Sequence, residues 1–350
     1  MQDVSLSRRG LVAGLAAGAV GLGAMADVAP AFAQKSGGAP GGAQIDAAVN
    51  AAHSKYRGLT EGKNADYIPA LAEVPSQYFG IALVGADGKL HEAGDTQQLF
   101  SIQSISKVFT AALVMQESGD QKIEDSVGVD ATGAVFNSIV AVEQYRGKEM
   151  NPFVNPGAIA TVGNVKGGSP DEVWGKILKI HSDFAGRQLD VNQPVYKSES
   201  DTNQRNRAIS ALMSAYERFP GDPAVAVDLY TRQCSINVSA RDLAVMGATL
   251  AFGGRNPVTK KQVIDSKHVP GLLAIMATAG MYDDSGKWLF HTGLPTKSGV
   301  GGGLVSAAPG KFGIGTFAPP LDAAGNSVRG QRAITDIVQA LNANPYAQFG

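Results

Sequence analysis

Ser104 and Lys107 stand three residues apart in FSIQSISKVF, Phe100 to Phe109, a spacing that sets two side chains next to each other on one face of a helix. A serine hydroxyl becomes a useful nucleophile when a neighbour takes its proton, and a lysine can take it if burial or a nearby cation lowers its pKa. The two are therefore a candidate nucleophile and general base. A helix start would add oriented N–H groups where a developing oxyanion could rest. The same letters also suit a polar helix start that is merely rich in hydroxyls, with Ser101-x-x-Ser104 as an N-cap arrangement. As a bare pattern, S-x-x-K favours that plainer reading.

A second motif changes the balance. Lys297-Ser298-Gly299 lies in GLPTKSGVGGG, Gly293 to Gly303. In acyl-serine enzymes a K-[ST]-G strand lines the wall opposite an S-x-x-K helix, so the pair carries more information than either motif alone. The glycine run could instead mark a bulge or a tight bend. A phosphate-binding loop is excluded because the Gly-Lys dipeptide it needs is missing.

The elements that must hold these motifs are legible in outline. A leading helix is expected over Ala43 to Arg57, then a hairpin of Tyr78 to Val84 and Lys89 to Ala93 around Ala86-Asp-Gly88. Apolar residues at Ile105, Val108, Phe109, Ala112 and Leu113 predict an amphipathic helix from Ser104 to near Gly119. Helices are expected at Asp171 to His181, Asn203 to Arg218, Ala224 to Gln233, Ala240 to Phe252 and Lys260 to Ala279, with no strand between them. Strands follow at Lys287 to His291, Gly302 to Ala308 and Lys311 to Phe317, and Ala333, Ile334, Ile337, Val338 and Leu341 mark a closing helix. The expected organisation is one α/β domain, residues 43–350, whose α/β part spans about 43–119 and 285–350 and whose helical insert spans about 120–284.

Composition narrows the function. Thirty Lys+Arg balance 31 Asp+Glu for a net charge of -1, without a basic block to track a phosphate backbone or an anionic membrane surface. Nucleic acid is thus not an expected partner. One cysteine, Cys234, allows no internal disulfide, and the five histidines show no metal-ligand spacing. No cofactor or metal is expected.

The first 33 residues read as a signal peptide: Arg8 and Arg9, a Gly/Ala-rich apolar stretch from Leu11 to Ala26, and Ala31-Phe-Ala33 as a cleavage site. The stretch is too short and glycine-diluted for a spanning helix. Ser7-Arg8-Arg9-Gly10-Leu11 resembles a twin-arginine signal, so an exported protein, periplasmic or extracellular, is expected, without stable membrane insertion after cleavage. Residues 34–42 read as a flexible linker.

The chain as a whole resembles the bacterial-type glutaminases, within the serine-dependent β-lactamase-like superfamily. The matching runs include ADYIPALA (Ala65 to Ala72), FSIQSISKVF, FNSIV (Phe136 to Val140), NPFVNPGAI (Asn151 to Ile159) and SESDTNQRNRAI (Ser198 to Ile209). They continue with CSINVSARDLAVMGATLAFGGRNPVT (Cys234 to Thr259), MATAGMYDDSG (Met276 to Gly286), GLPTKSGVGGG and PPLDAAGNSVRG (Pro319 to Gly330). The resemblance implies a β-lactamase/transpeptidase-like α/β fold: an antiparallel sheet flanked by helices, with an inserted all-helical subdomain. It implies Ser104 as nucleophile and Lys107 as base, with Tyr230 or Tyr282 relaying protons. It implies substrate contacts from Tyr67, Gln103, Ser104, Asn155, Glu199, Asn206, Tyr230, Tyr282 and Val300. The implied activity is hydrolysis of L-glutamine to L-glutamate and ammonia, in a homodimer or homotetramer.

Glu199 suits an α-ammonium, amides and tyrosines suit an α-carboxylate, and the N–H groups of Ser104 and Val300 suit an oxyanion. Two departures stand out: Pro156 where the family usually has alanine, and Asp130-Ala-Thr-Gly133 in place of the usual turn. The competing readings are a β-lactamase-like hydrolase of another amide and a non-catalytic amino-acid-binding protein on the same fold.

Overall fold

The computed structural model describes residues 40–148 and 150–347. The expected signal and most of the expected linker lie outside them, and Gly42 already begins the first helix.

The chain opens with α1 (Gly42–Tyr56) and the single turn α2 (Pro69–Ala72), followed by β1 (Gly80–Gly85), β2 (Leu90–Gly94) and β3 (Phe100–Ser101). A 3-10 turn at Gln103–Ile105 runs straight into α3 (Ser106–Ser118), then α4 (Asp120–Ser126), α5 (Ile139–Tyr145), α6 (Asn155–Gly163) and α7 (Pro170–Ala185). Next come α8 (Gln193–Thr202), α9 (Gln204–Ala215), α10 (Pro223–Cys234), β4 (Asn237–Val238), α11 (Ala240–Ala251) and α12 (Val269–Ala279). The chain closes with α13 (Ser285–Thr292), β5 (Thr296–Gly299), β6 (Gly303–Ala308), β7 (Phe312–Phe317) and α14 (Val328–Ala340).

Among the described residues five strands form an antiparallel sheet in the order β2-β1-β7-β6-β5. Alternation along β1 feeds two cores. Ile81 and Leu83 pack with Ile45 and Val49 of α1 and Ile334 and Ile337 of α14, while Ala82 and Val84 face the larger helical core that holds α3 and α11. The sheet is therefore covered on both sides by helices.

Helix α11 lies against the sheet with almost no side chains between. A Cβ added at Gly313 would stand 1.9 Å from Ala248 N, and one at Gly247 would stand 2.6 Å from Ser306 O. Glycine is required there so that helix backbone can touch strand backbone.

Several expectations are corrected. Lys287 to His291 is helical, inside α13, because the buried pair is Trp288 and Thr292, four apart, while Phe290 is 83% exposed. Only the second half of Lys260 to Ala279 is the α-helix α12: Lys260 has φ +63°, and Asp265 accepts from Lys267 N to start a 3-10 turn ahead of it. Helix α3 is not amphipathic, since it is buried on every side from Ser106 to Met115. The region 120–284 also holds β4, which pairs with β3, and the sheet-covering α11.

Candidate active site

The short pairing of β3 with β4, extended by Ile102 N–H donating to Ile236 O at 2.8 Å, brings the chain to a sharp turn. Gln103 makes that turn with φ +51°, a left-handed conformation that is uncommon outside glycine. Ser106 Oγ donates to Gln103 O at 2.7 Å and Gln103 Nε2 donates to Ser101 Oγ at 3.1 Å, fixing the turn from both sides. The three serines thus divide their work. Ser101 sits in β3 and does not cap the helix, Ser106 holds the turn, and Ser104 is left on the turn itself, buried beside Lys107.

Lys107 Nζ lies 3.0 Å from Ser104 Oγ and 2.6 Å from Asn155 Oδ1. Burial pushes the Lys107 ammonium down to about 8, against the opposing pull of the Glu199 charge. Tyr230 Oη donates to the same Asn155 Oδ1 at 3.1 Å, and Asn155 Nδ2 donates to Asn206 Oδ1 at 3.1 Å. An amine that already gives hydrogens to an amide oxygen can turn its lone pair toward the serine.

Asn155 opens α6, and Pro156 falls in its first turn, where a missing N–H costs nothing. With Pro156 in place, Asn155 N–H donates to Phe136 O at 2.7 Å and its side chain reaches Lys107.

The Lys297 strand forms the facing wall. Gly299 and Gly301 allow it to approach the nucleophile turn, since an added Cβ would come within 2.7 Å of Ile102 O and 2.8 Å of Ser101 O respectively. Lys297 is fully buried; its Nζ donates to Ser298 O at 2.7 Å and Gly280 O at 3.1 Å and lies 4.4 Å from the centre of the Tyr282 ring. Burial holds the Lys297 ammonium well below its ordinary value, helped by the charge of Lys107. Tyr282, like Gln103, is left-handed, at φ +52°. Its hydroxyl donates to Ser298 O at 3.3 Å, and burial raises its pKa while a hydrogen bond with Ser104 opposes the rise. Burial likewise raises Tyr230, so both phenols keep their protons.

A cavity of about 280 Å³ opens above Ser104. Gln103, Asn155, Asn206, Tyr230 and Val300 line it, with Tyr67 at the rim, 55% exposed. Glu199 forms one inner wall; burial pushes its carboxyl up to about 7, against a hydrogen bond from Gln103 Nε2 at 3.4 Å and the attraction of Lys107. Every residue singled out from the sequence therefore meets at one place, Tyr282 just behind Ser104 rather than on the cavity surface. Arg205 was missed. It lines the cavity beside Asn206, its Nε donates to Asn137 O at 3.0 Å, and its position next to Asn206 in the sequence was the available signal. Lys297 was read as part of a motif, without the full burial the structure gives it.

Among the described residues no group of three or more His, Cys, Asp or Glu is placed to hold a metal ion, and no helix is long and apolar enough to cross a membrane. The arrangement can carry out acyl transfer at a serine, with a lysine base, neutral phenols as proton donors and a carboxylate set back from the nucleophile.

The chain is similar to known proteins over most of its length. A family model described as "Glutaminase" matches residues 62–346. A glutaminase of Colwellia psychrerythraea is 50% identical over 300 residues, covering 86% of this chain and 96% of that protein. "Glutaminase 2" of Yersinia pestis is 50% identical over 293 residues, covering 84% of this chain and 86% of that one. A solved structure described as "Probable glutaminase ybaS" superposes with a TM-score of 0.87 at 43% identity, covering 88% of this chain and all of that one. The structure of Mglu in its glutamate form gives 0.81 at 35% identity, over 85% of this chain and 68% of that one. With the family matched over most of its length and the fold shared with solved members, the chain belongs to the glutaminases, amidohydrolases of the β-lactamase-like fold.

Proposed function

We propose that the chain releases ammonia from L-glutamine through an ester on Ser104, with Lys107 as the base. The observation that carries this reading is the 3.0 Å approach of Lys107 Nζ to Ser104 Oγ in a buried setting that leaves the amine near pKa 8. An amine held there is neutral often enough near neutral pH to take the serine proton.

In the first half-reaction Ser104 Oγ attacks the side-chain carboxamide carbon and its proton passes to Lys107. The N–H groups of Ser104 and Val300 hold the oxyanion. Collapse breaks the C–N bond, and the proton on Lys107 goes to the departing nitrogen. Tyr282, hydrogen-bonded to Ser104, is the better placed relay; Tyr230 instead has its hydroxyl on Asn155. In the second half-reaction water adds to the ester carbon with Lys107 again as base, the C–Oγ bond breaks as Lys107 returns that proton to Oγ, and glutamate and free Ser104 result.

The amino-acid end is held away from the nucleophile. Glu199, as carboxylate, takes the α-ammonium, and Asn206, Tyr67 and Arg205 take the α-carboxylate at the mouth. A group without those charges leaves buried polar atoms unpaired, which disfavours other amides. The cavity of about 280 Å³ suits a free amino acid better than a bulky lactam.

Two further parts of the reading rest on sequence and family alone. The Arg8-Arg9 leader supports export through a twin-arginine route, and the family resemblance supports a homodimer or homotetramer. Cell fractionation and light scattering test them.

The test of the central claim is ammonia release from L-glutamine by the purified protein and by Ser104→Ala. Equal rates would sink it.

A further inference from the structure

Tyr282 brings its hydroxyl to Ser104 from a backbone conformation that a tyrosine seldom adopts, at φ +52°. The phenol oxygen is the far end of a rigid ring, so a small turn of the backbone moves it more than any other atom of the residue. The short link between α12 and α13, in which Tyr282 lies, must therefore be fixed by its surroundings.

Three sets of hydrogen bonds act on that link. Within it, Met281 N–H donates to Ser285 Oγ at 3.0 Å, Ser285 Oγ donates to Tyr282 O at 2.8 Å, and Asp284 N–H donates to Met281 O at 3.1 Å. These bonds travel with the link and do not set its place. From the sheet, Ser298 N–H at 3.0 Å and Lys297 Nζ at 3.1 Å both donate to Gly280 O. From the turn that leads into α14, the fully buried Asn326 donates Nδ2 to Met281 O at 3.1 Å. Among the described residues no other side chain from outside the link reaches Met281 O.

Asn326 is itself firmly held. Its N–H donates to Asp322 Oδ1 at 2.9 Å, and its carbonyl accepts from Asp322 N–H at 2.9 Å. Asp322 Oδ2 in turn accepts from Gln331 Nε2 at 2.7 Å, and the next residue, Ser327, caps α14. Gly325 of the same turn, at φ +96°, faces the Tyr282 ring, since an added Cβ would stand 3.6 Å from it and 3.8 Å from Val300 Cγ1.

We propose that Asn326 is a positioning residue for the reaction: with Gly280 O tied to β5, its grip on Met281 O fixes the peptide that enters Tyr282 and so keeps the phenol on Ser104. This rests on the reading of Tyr282 as the relay. A carbonyl acceptor calls for the amide nitrogen of Asn326, which neither a hydrocarbon nor an ionised carboxylate can replace. The groups that hold the amino-acid end of the substrate, Glu199, Asn206, Tyr67 and Arg205, lie on other segments and are left as they are.

The test is a double-mutant cycle with Tyr282→Phe, which keeps the ring and removes the relay. Asn326→Ala is expected to lower kcat for L-glutamine about tenfold with KM within about twofold. In the Tyr282→Phe background it is expected to lower kcat by less than about twofold, because a hydroxyl that is gone cannot be misplaced. Thermal melts compare each variant with the parent; where the alanine variant melts early, Asn326→Asp, which keeps the volume without the donor, carries the same expectation. If Tyr282→Phe alone is impaired, a folded Asn326 variant that keeps the parent kcat, or that loses as much in the Tyr282→Phe background as in the parent, overturns the positioning role and leaves the relay standing. A Tyr282→Phe enzyme with the parent kcat overturns the relay reading, and the proposal falls with it.

Discussion

Lys107 and Glu199 are both buried at one site without forming a direct ion pair among the described contacts, and burial drives their pKa values toward each other, to about 8 and about 7. One must be neutral to act as a base and the other ionised to hold an ammonium, so the same desolvation that tunes the first works against the second.

The pH dependence follows with a definite sign. Glu199 loses its charge as pH falls below about 7, and Lys107 gains one as pH falls below about 8, so both losses run the same way. A plot of log kcat/KM against pH is expected to rise with a slope near two below 7 and near one between 7 and 8, then flatten. A profile that is flat from pH 6 to 9 contradicts the assignment.

Removing the buried amine should trade activity for stability. The native pKa of about 8 lies below the ordinary 10.5, so stability is lost as pH falls from 10.5 to 8, by about 3 kcal/mol at most. Lys107→Met is expected to abolish turnover and raise Tm at pH 6 to 7, and the gain should vanish above pH 10.5. Thermal melts at the two pH values check it.

Glu199→Gln keeps the shape and the hydrogen bond with Gln103 but cannot counter an ammonium. KM for L-glutamine is expected to rise by about 30-fold or more, since truncating a buried charge partner costs on the order of 2–5 kcal/mol. Hydrolysis of 4-carbamoylbutanoate, which has no α-ammonium, should not weaken. Equal losses on both compounds would show that Glu199 serves the fold and not the ammonium.

Strand β5 has no room for a methyl group at its closest approach. Gly299→Ala places a carbon 2.7 Å from Ile102 O, which must push Ser104 away from the strand. A fall of about 100-fold in kcat is expected, in line with a displacement near 1 Å at the reacting groups. Steady-state kinetics beside a melt at the parent's Tm separate this from unfolding.

Pro156→Ala tests the departure in NPFVNPGAI. The proline lies in the first turn of α6, where its ring fits, so the alanine variant should lose less than about 1 kcal/mol of stability and keep KM within about twofold. Chemical denaturation and a KM measurement decide.

The site was largely legible in the sequence because its groups sit in short runs whose residue types carry the chemistry: SISK and SES each supply a wall of the cavity, while KSG and GMYD supply the strand and the phenol packed behind the nucleophile. The fold was legible where periodicity and burial coincide, as in the β1–β2 hairpin and in α14. It misled where they part. Helix α3 shows an apolar stripe yet is buried all round, because Ser106, Lys107 and Thr110 fill its polar face inside the protein. Residues 287–291 hold a short apolar run that suits a strand, Trp288-Leu289-Phe290, but Trp288 and Thr292 are the pair that packs inward. Arg205 and the buried state of Lys297 depend on which segments converge, and no local pattern encodes that.

The contact of α11 with β6 and β7 through Gly247, Gly313 and Gly315 has a consequence for motion. A boundary filled with side chains can loosen by rotamer hops, whereas two backbones in direct contact part only when a whole helix lifts away. The amides of β7 and α11 are therefore expected to exchange with deuterium last in the molecule, at the rate of global unfolding, and the nucleophile turn is hung from that slow frame.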